Sequence, residues 1–185
     1  MILTAVFALF NACGTLSQMA ALLTCNYSVR NVDSPKLAGI NIANMNDITN
    51  LDAVTALRVS ATILSGALPL SATINVGVSN PNSVAAQIAG LEWILSFEGV
   101  DLLSGTTLQQ VSVAPNGGSS VIPFTVQTDL VSLFNKDSRD RMLKFTQGLL
   151  HIGDKNGQVT LKIRPSISFG GQVFRMGYIT VSKEI

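Results

Sequence analysis

Few side chains in this sequence could act as a catalytic base or nucleophile. The 185-residue chain contains one histidine, His151, and two cysteines. A serine or cysteine nucleophile needs a base beside it, whereas His151 directly follows the apolar pair Leu149-Leu150. A protonated histidine at a helix end complements the helix dipole. We therefore interpret His151 as a helix-end residue and not as a catalytic base.

The carboxylates and glycines also lack the spacing of a reaction centre. Glu92 and Glu98 lie on one predicted strand, ~20 Å apart, which is too far for a glycosidase pair. Gly170-Gly171 fits a hairpin better than a phosphate-binding loop, and the sequence has no Walker-type motif. One histidine and two cysteines are too few for a zinc site built by the protein alone. The sequence thus predicts no enzymatic activity, no metal and no cofactor.

The overall composition excludes two further classes of protein. Hydrophobic residues make up 47% of the chain and charged residues 12%, which is the reverse of a disordered chain. Twelve basic and eleven acidic residues give a formal net charge of +1, whereas nucleic-acid binding needs a concentrated basic surface. We therefore expect a folded domain with a large apolar core and no nucleic-acid partner.

The N-terminal segment carries no formal side-chain charge from Met1 to Val29. Its apolar run, Ile2–Phe10, is too short to cross ~30 Å of hydrocarbon but suits the hydrophobic region of an export signal. Asn11-Ala12-Cys13 follows and resembles a bacterial lipobox, in which the signal is removed and the cysteine receives lipid. We predict a signal peptide over residues 1–12 and lipidation of Cys13 in the cell envelope, facing the periplasm or the exterior.

Alternatives remain open for this segment. Ile2–Leu23 could form an uncleaved anchor helix, although polar residues and a glycine interrupt its centre. Cys25 is most simply a small buried apolar residue if Cys13 carries lipid. Two other interpretations of Cys25 are a disulfide with Cys13 and a reactive free thiol. The lipid and the uncleaved helix would each tie the rest of the chain to a membrane, outside the cytoplasm.

Residues 13–67 are predicted to form an extension made of short strands and one helix. Apolar alternation marks short strands over Tyr27–Val32 and Gly39–Ile42. Helical spacing then predicts a helix within Asn46–Gly66 that ends at its glycine. Its apolar stripe is expected to pack on a sheet and comprises Val54, Leu57, Ala61 and Leu64.

From Leu68 onward the apolar period is two, which predicts about seven short strands separated by turns. A β-sandwich of antiparallel strands accounts for such a pattern. Trp93 lies on the apolar face of one strand and is expected in the core, and Pro123 suggests an edge strand or a bulge. The predicted strands are Ala72–Val78, Leu91–Phe97, Val100–Thr106, Leu108–Val113, Ile122–Thr128, Val159–Phe169 and Gln172–Ser182, the last with Phe174 and Tyr178 available to the core.

One helix interrupts these strands, from Asp129 as its cap to Leu149. Its charged cluster contains opposite charges four residues apart, and each pair contributes ~0.2–0.5 kcal/mol on a solvated helix face. We therefore interpret the cluster as a solvated face and not as a binding patch. The pairs are Lys136 with Asp140, Asp137 with Arg141, and Asp140 with Lys144.

Three segments of the sequence form a pattern. Ile74–Asn82 is a strand that ends in the Asn80-Pro81-Asn82 turn, Ile88–Leu95 is an apolar strand, and Val113–Gly117 is a glycine-containing loop. Together with Gly99 and Gly105, they resemble the type-2 late-embryogenesis-abundant domain, also called the water stress and hypersensitive response domain. The resemblance covers roughly Ser71–Ser182. The layout with Cys13 ahead of the domain is similar to bacterial lipoproteins of this family.

The resemblance implies an immunoglobulin-like or fibronectin-III-like antiparallel β-sandwich over residues 68–185, with one helix late in the domain. The helix of residues 13–67 would be an extra N-terminal element. The implied function is a non-enzymatic role in stress or desiccation tolerance, performed by a membrane-anchored lipoprotein through contacts with envelope partners. The excess of hydrophobic residues favours one alternative, a carrier or binder of an apolar ligand such as a lipid.

Overall fold

The computed structural model describes residues 17, 20–43, 57, 61–62, 64–134, 139–149, 157–169 and 171–184. These residues form a mainly antiparallel β structure, which confirms the predicted fold class. The described part has eleven strands, more than the seven or so expected. They are β1 (Asn26–Leu37), β2 (Ile40–Asn41), β3 (Pro69–Asn80), β4 (Ala86–Ile88), β5 (Gly90–Phe97), β6 (Val100–Thr107), β7 (Val111–Val113), β8 (Gly118–Asp129), β9 (Gln158–Phe169), β10 (Gln172–Arg175) and β11 (Ile179–Glu184). Between β8 and β9 lie α1 (Leu130–Leu133) and α2 (Arg139–Leu149).

The strands form two main sheets and one short ladder. The first sheet has the order β2-β1-β3-β8, and the second sheet has the order β6-β5-β9, with β10 and β11 both paired to the outer edge of β9. The single strand predicted over Gln172–Ser182 is therefore wrong. It is split opposite Pro165, whose carbonyl accepts a hydrogen bond from Met176 N–H at this edge (2.9 Å). Because a strand residue directs its N–H and C=O to the same side, the missing proline N–H interrupts the ladder there.

The inner faces of the two sheets share one apolar core. Trp93 of β5 stacks on Phe124 of β8, with ring centroids 4.7 Å apart, so the sheets meet face to face as a sandwich. Trp93 is thus a core residue, as predicted, and Pro123 lies in the edge strand β8. Period-two alternation of buried side chains is confirmed on four strands, with Ile74, Val76, Val78, Ile122, Phe124 and Val126 from the first sheet and Leu91, Trp93, Leu95, Leu161, Ile163 and Ile167 from the second.

A second apolar cluster fills one end of the sandwich. Its strand residues include Leu37 and Leu70, which are register partners in the first sheet, and Phe97 at the end of β5. We call this the Leu70 end. The opposite end, where Asn80 pairs with Gly118, is the Asn80 end. Gly90 begins β5 seven residues before Phe97, ~23 Å away, so it lies at the Asn80 end together with its register partner Ser166.

The helix predicted as one element from Asp129 to Leu149 is two helices. Asp129 caps α1 as predicted, because its carboxylate accepts hydrogen bonds from Val131 N–H (2.8 Å) and Ser132 N–H (3.3 Å). In one straight helix Phe134 and Phe145 would be ~16 Å apart along the axis, whereas their ring centroids lie 5.5 Å apart. The break lets both rings enter the cluster at the Leu70 end, where each also contacts the Phe97 ring.

One residue of the charged face of α2 forms an ion pair with the second sheet. Lys144 forms an ion pair with Glu98 and not with Asp140, so that part of the predicted pairing is wrong. Phe145 packs on Phe97, and this contact brings their chain neighbours Lys144 and Glu98 together. Lys136 and Asp137 lie outside the described residues.

Three of the turns expected between the strands have residues with positive φ. Glu98 and Gly99 both have positive φ (48° and 77°) and join β5 to β6, which is the geometry of a type I′ hairpin. Asn116 and Gly117 have φ of 58° and 87° and end the loop before β8. Gly171, before β10, also has a positive φ, in keeping with the predicted glycine hairpin.

Two predictions of burial are wrong. Leu57, Ala61 and Leu64 of the predicted early helix are exposed, because the inner faces of both sheets pack against each other and not against this stripe. Phe174 and Tyr178 are also exposed, since they belong to the edge of the second sheet.

The predicted helix end at Gly66 is confirmed. Gly66 has a φ of 79°, and the next residue, Ala67, donates its N–H to Thr62 O (3.3 Å), which is the pattern of a glycine-terminated helix. The N-terminal part of this segment, including Val54, lies outside the described residues.

Candidate functional site

The Asn80-Pro81-Asn82 turn, which we call the Asn80 corner, ends β3 with a buried amide. The Asn80 side chain donates hydrogen bonds to Val84 O (2.8 Å) and Val113 O (3.2 Å). Its oxygen accepts from the backbone N–H of Asn82 (3.1 Å) and from the Asn82 side-chain amide (2.8 Å). The local side-chain-to-backbone bond expected of such a turn is present. All donors and acceptors of this fully buried amide are therefore in use.

The corner also binds the loop that precedes β8. Gly117 N–H donates to Asn80 O (2.8 Å), and Asn116 N–H donates to Asn82 O (2.7 Å). Two turns that the sequence marks independently are thus hydrogen-bonded to each other. This contact closes the Asn80 end of the sandwich.

Asn82 connects the corner to the N-terminal segment. Its side-chain amide donates to Ala21 O (3.0 Å), and its oxygen accepts from Thr24 Oγ1 (2.9 Å). Residues 20–23 are helical, and the side chains of Ala21 and Leu22 are buried in the main core. Tyr27 Oη donates to Leu22 O (3.2 Å) and reinforces this attachment. The contact is not predictable from the sequence, because the local pattern of neither segment indicates which residues it contacts.

Cys25 is a free thiol buried in the main core. Burial raises its pKa, which is the opposite of what a reactive thiolate requires. The interpretation of Cys25 as a small buried apolar residue is confirmed, and its pairing with Cys13 is not observed. Burial also raises the pKa of Tyr27, with a smaller contribution from Cys25. Cys13 and His151 lie outside the described residues.

The carboxylates considered for acid–base chemistry are neutralised by nearby cations. Glu92 on the outer face of the second sheet binds Arg164 (Nε to Oε2, 2.9 Å) and Arg175. Hydrogen bonds from Arg164 and then from Arg175 lower the pKa of Glu92, so it stays ionised. The Arg164 guanidinium also lies 4.7 Å from the centre of the Tyr178 ring. With Glu98 bound to Lys144, each of the two glutamates belongs to a separate ion pair.

No reaction centre is visible among the residues that the structure describes. They contain no group of three or more His, Cys, Asp or Glu side chains that could hold a metal. A cavity of about 300 Å³ between β4, β7 and the end of β9 is lined by two glutamines, two serines and four aliphatic residues. None of these eight side chains can serve as an acid or base at neutral pH.

No helix formed by the described residues is both long enough and apolar enough to cross a bilayer. A lipid on Cys13 would not require such a helix, so the attachment through Cys13 stays a prediction.

The fold and the Asn80 corner together define an antiparallel β-sandwich domain whose N-terminal segment is bonded to one end. The family model of the late embryogenesis abundant proteins matches residues 75–185, more than half of the chain. The chain therefore belongs to the type-2 late-embryogenesis-abundant family, as the sequence motifs predict, and carries a domain of this stress-related family. No curated protein sequence matches the chain.

Three solved structures are similar to parts or most of the chain. A crystal structure of a protein from Archaeoglobus fulgidus is 15% identical, with a TM-score of 0.41, and the match covers 63% of this chain and 84% of that one. A solution structure of a protein from Arabidopsis thaliana is 19% identical (TM-score 0.45; 63% and 69% covered). A second solution structure, of a protein assigned by its title to the late embryogenesis abundant proteins, is 18% identical with a TM-score of 0.45. The match covers 98% of this chain and 83% of that one.

Replacing Asn80 by alanine is expected to destabilise the protein by at least ~2 kcal/mol, because Val84 O and Val113 O lose their buried donor. The free energy of unfolding in urea measures the loss. Asn31→Ala is the matched control, since the Asn31 amide is exposed and bonds Asp33 at the surface. Its effect should stay within about 0.5 kcal/mol. Equal effects of the two substitutions would contradict the role given to Asn80.

Proposed function

We propose that this protein is a non-enzymatic lipoprotein of the cell envelope, in which the sandwich protects neighbouring envelope components during drying or other water stress. Membership of the late-embryogenesis-abundant family supports the stress-related role. The observation that carries the tethered arrangement is the contact of Asn82 with Ala21 and Thr24. Through this contact the described part of the charge-free N-terminal segment is bonded to the folded sandwich.

The outer face of the first sheet is suited to contacts with surfaces that are losing water. β3 and β8 present hydroxyl and amide side chains there in register pairs, and Thr73 and Thr125 place their hydroxyl oxygens 3.4 Å apart. Removing a hydroxyl from water costs far less than removing a charge. The hydroxyl and amide pairs can therefore replace water as hydrogen-bonding partners at moderate cost, beside Arg30 and Asp33, which lie next to Gly77 and Asn75 on the same face. The other register pairs of this kind are Ser71 with Gln127 and Ser79 with Ser119.

The first prediction from this proposal concerns the anchor. Intact-mass analysis of the membrane-extracted protein should show a chain that begins at Cys13 and carries diacyl or triacyl lipid. Cys13→Ala should abolish the lipid mass and release the protein from the membrane fraction. An unprocessed chain that retains Met1 would contradict the lipid anchor.

Cys25→Ala is the matched control for the anchor. Cys25 is a buried free thiol, so its replacement should leave the lipid mass and the membrane fraction unchanged. Loss of lipid from both variants would show that the Cys13 result reflects a general defect of folding or export.

The second prediction concerns the protective role. Cells in which the gene is deleted should lose envelope integrity after drying, osmotic shock or detergent, measured as uptake of a dye that intact envelopes exclude. The wild-type gene should restore integrity, and Cys13→Ala should restore less, because the sandwich is no longer held at the membrane. Unchanged dye uptake in the deletion strain under all three stresses would contradict this function.

A further inference from the structure

The Asn80 end of the sandwich is built from segments without charged side chains. Four stretches of the sequence contain no Asp, Glu, Lys or Arg and also supply this end, namely residues 17–29, 80–91, 102–128 and 165–174. They contain residues 20–23, the Asn80 corner, the loops on either side of β7, and the β9–β10 hairpin. The nearest ionised groups are Arg175, which pairs in register with Ser166 and binds Glu92 on the outer face of the second sheet, and Arg30, whose side chain lies beside Gly77. The four stretches themselves therefore bring no charge to this end.

The same neutral segments expose large apolar side chains. Leu108 in the loop before β7 is 86% exposed, Leu23 is 65% exposed and Val173 of β10 is 55% exposed. Val84 and Phe174 are each 38% exposed. Single exposed aliphatic residues are common on soluble proteins. Here, however, they coincide with the stretch of surface that lacks charge, which is the pattern of an interaction site.

The N-terminal segment joins the sandwich at this end. Ala21 is bonded to Asn82, and Cys13 lies eight positions before Ala21 in the sequence, a chain length of at most ~29 Å. The Leu70 end is farther away, because β3 spans twelve residues, or ~37 Å. An anchor at Cys13 therefore holds the Asn80 end close to the membrane.

Given the membrane attachment proposed above, on which this conclusion rests, we infer that the Asn80 end is a bilayer-contacting surface. Leu23, Leu108 and Val173, with Val84 and Phe174, enter the interfacial region of the lipid. The sandwich then stands end-on, with the Leu70 end directed away from the membrane. Burying these side chains is favourable, and the charge next to them in the chain, on Arg175, is already paired with Glu92. The protein contact would add to the binding that the lipid anchor supplies.

Tryptophan quenching in lipid vesicles tests this orientation. The membrane-extracted full chain is reconstituted into vesicles of phosphatidylcholine with brominated acyl chains, which quench tryptophan only at lipid depth. Leu108→Trp should lose most of its added emission and shift to shorter wavelength. Leu64→Trp is the matched control, because Leu64 is 87% exposed and leads into β3 at the Leu70 end. Its added emission should persist. The buried Trp93 gives the wild-type baseline.

The outcomes separate this inference from the proposal on which it rests. If the wild type floats with the vesicles but Leu108→Trp is quenched no more than Leu64→Trp, end-on contact is overturned and membrane attachment stands. If the wild type fails to float with the vesicles, both are overturned. Val173→Trp, on the neighbouring hairpin, provides a second reporter and should behave as Leu108→Trp does. The unfolding midpoint in urea verifies that each variant is folded.

Discussion

The rest of the structure depends on the buried side-chain amide of Asn80. Its two donors and its oxygen hold Val84 of the β3–β4 loop, the end of β7 and the Asn82 side chain in one arrangement. A buried acceptor that loses its partner costs ~1–3 kcal/mol, so this network is retained as a unit. Asn82, held by Asn80, in turn binds the N-terminal segment at Ala21 and Thr24. The corner therefore fixes where the chain enters the domain.

The two ends of the sandwich have different chemistry. At the Leu70 end, Phe97, Phe134 and Phe145 form an aromatic cluster that holds α1 and α2, and the ion pair of Lys144 with Glu98 lies beside it. At the Asn80 end most side chains are neutral, and several aliphatic ones are exposed. The two ends of the domain therefore differ, and a membrane tether at the N-terminus would orient the domain with its Asn80 end toward the membrane.

Local patterns in the sequence predicted the parts of the fold that local physics determines. The period of two along β3, β5 and β8 follows from burial of alternate side chains, and the Glu98-Gly99 turn follows from the positive φ of its residues. The helix break after Phe134 was missed because it depends on the ring of Phe145 meeting the same cluster. The division of the last strand was missed because its cause, Pro165, lies on the partner strand.

The candidate site was predicted only in part, for the same reason. The Asn80-Pro81-Asn82 turn was visible in the sequence because asparagine and proline favour turns. Its main role was not visible, since the bond from Asn82 to Ala21 joins residues 61 positions apart. The neutral Asn80 end likewise combines four separate charge-free stretches, which only the strand register brings together.

Amide hydrogen exchange of the wild-type protein tests the central claim most directly. The N–H groups of Thr24 and Cys25 are bonded to Ala21 O and Leu22 O, both at 3.3 Å, beneath the Asn80 corner. If the corner holds the N-terminal segment in the fold, these amides exchange as slowly as the amides in the centre of β3. Exchange at the rate of an exposed loop, while β3 stays protected, would contradict the account.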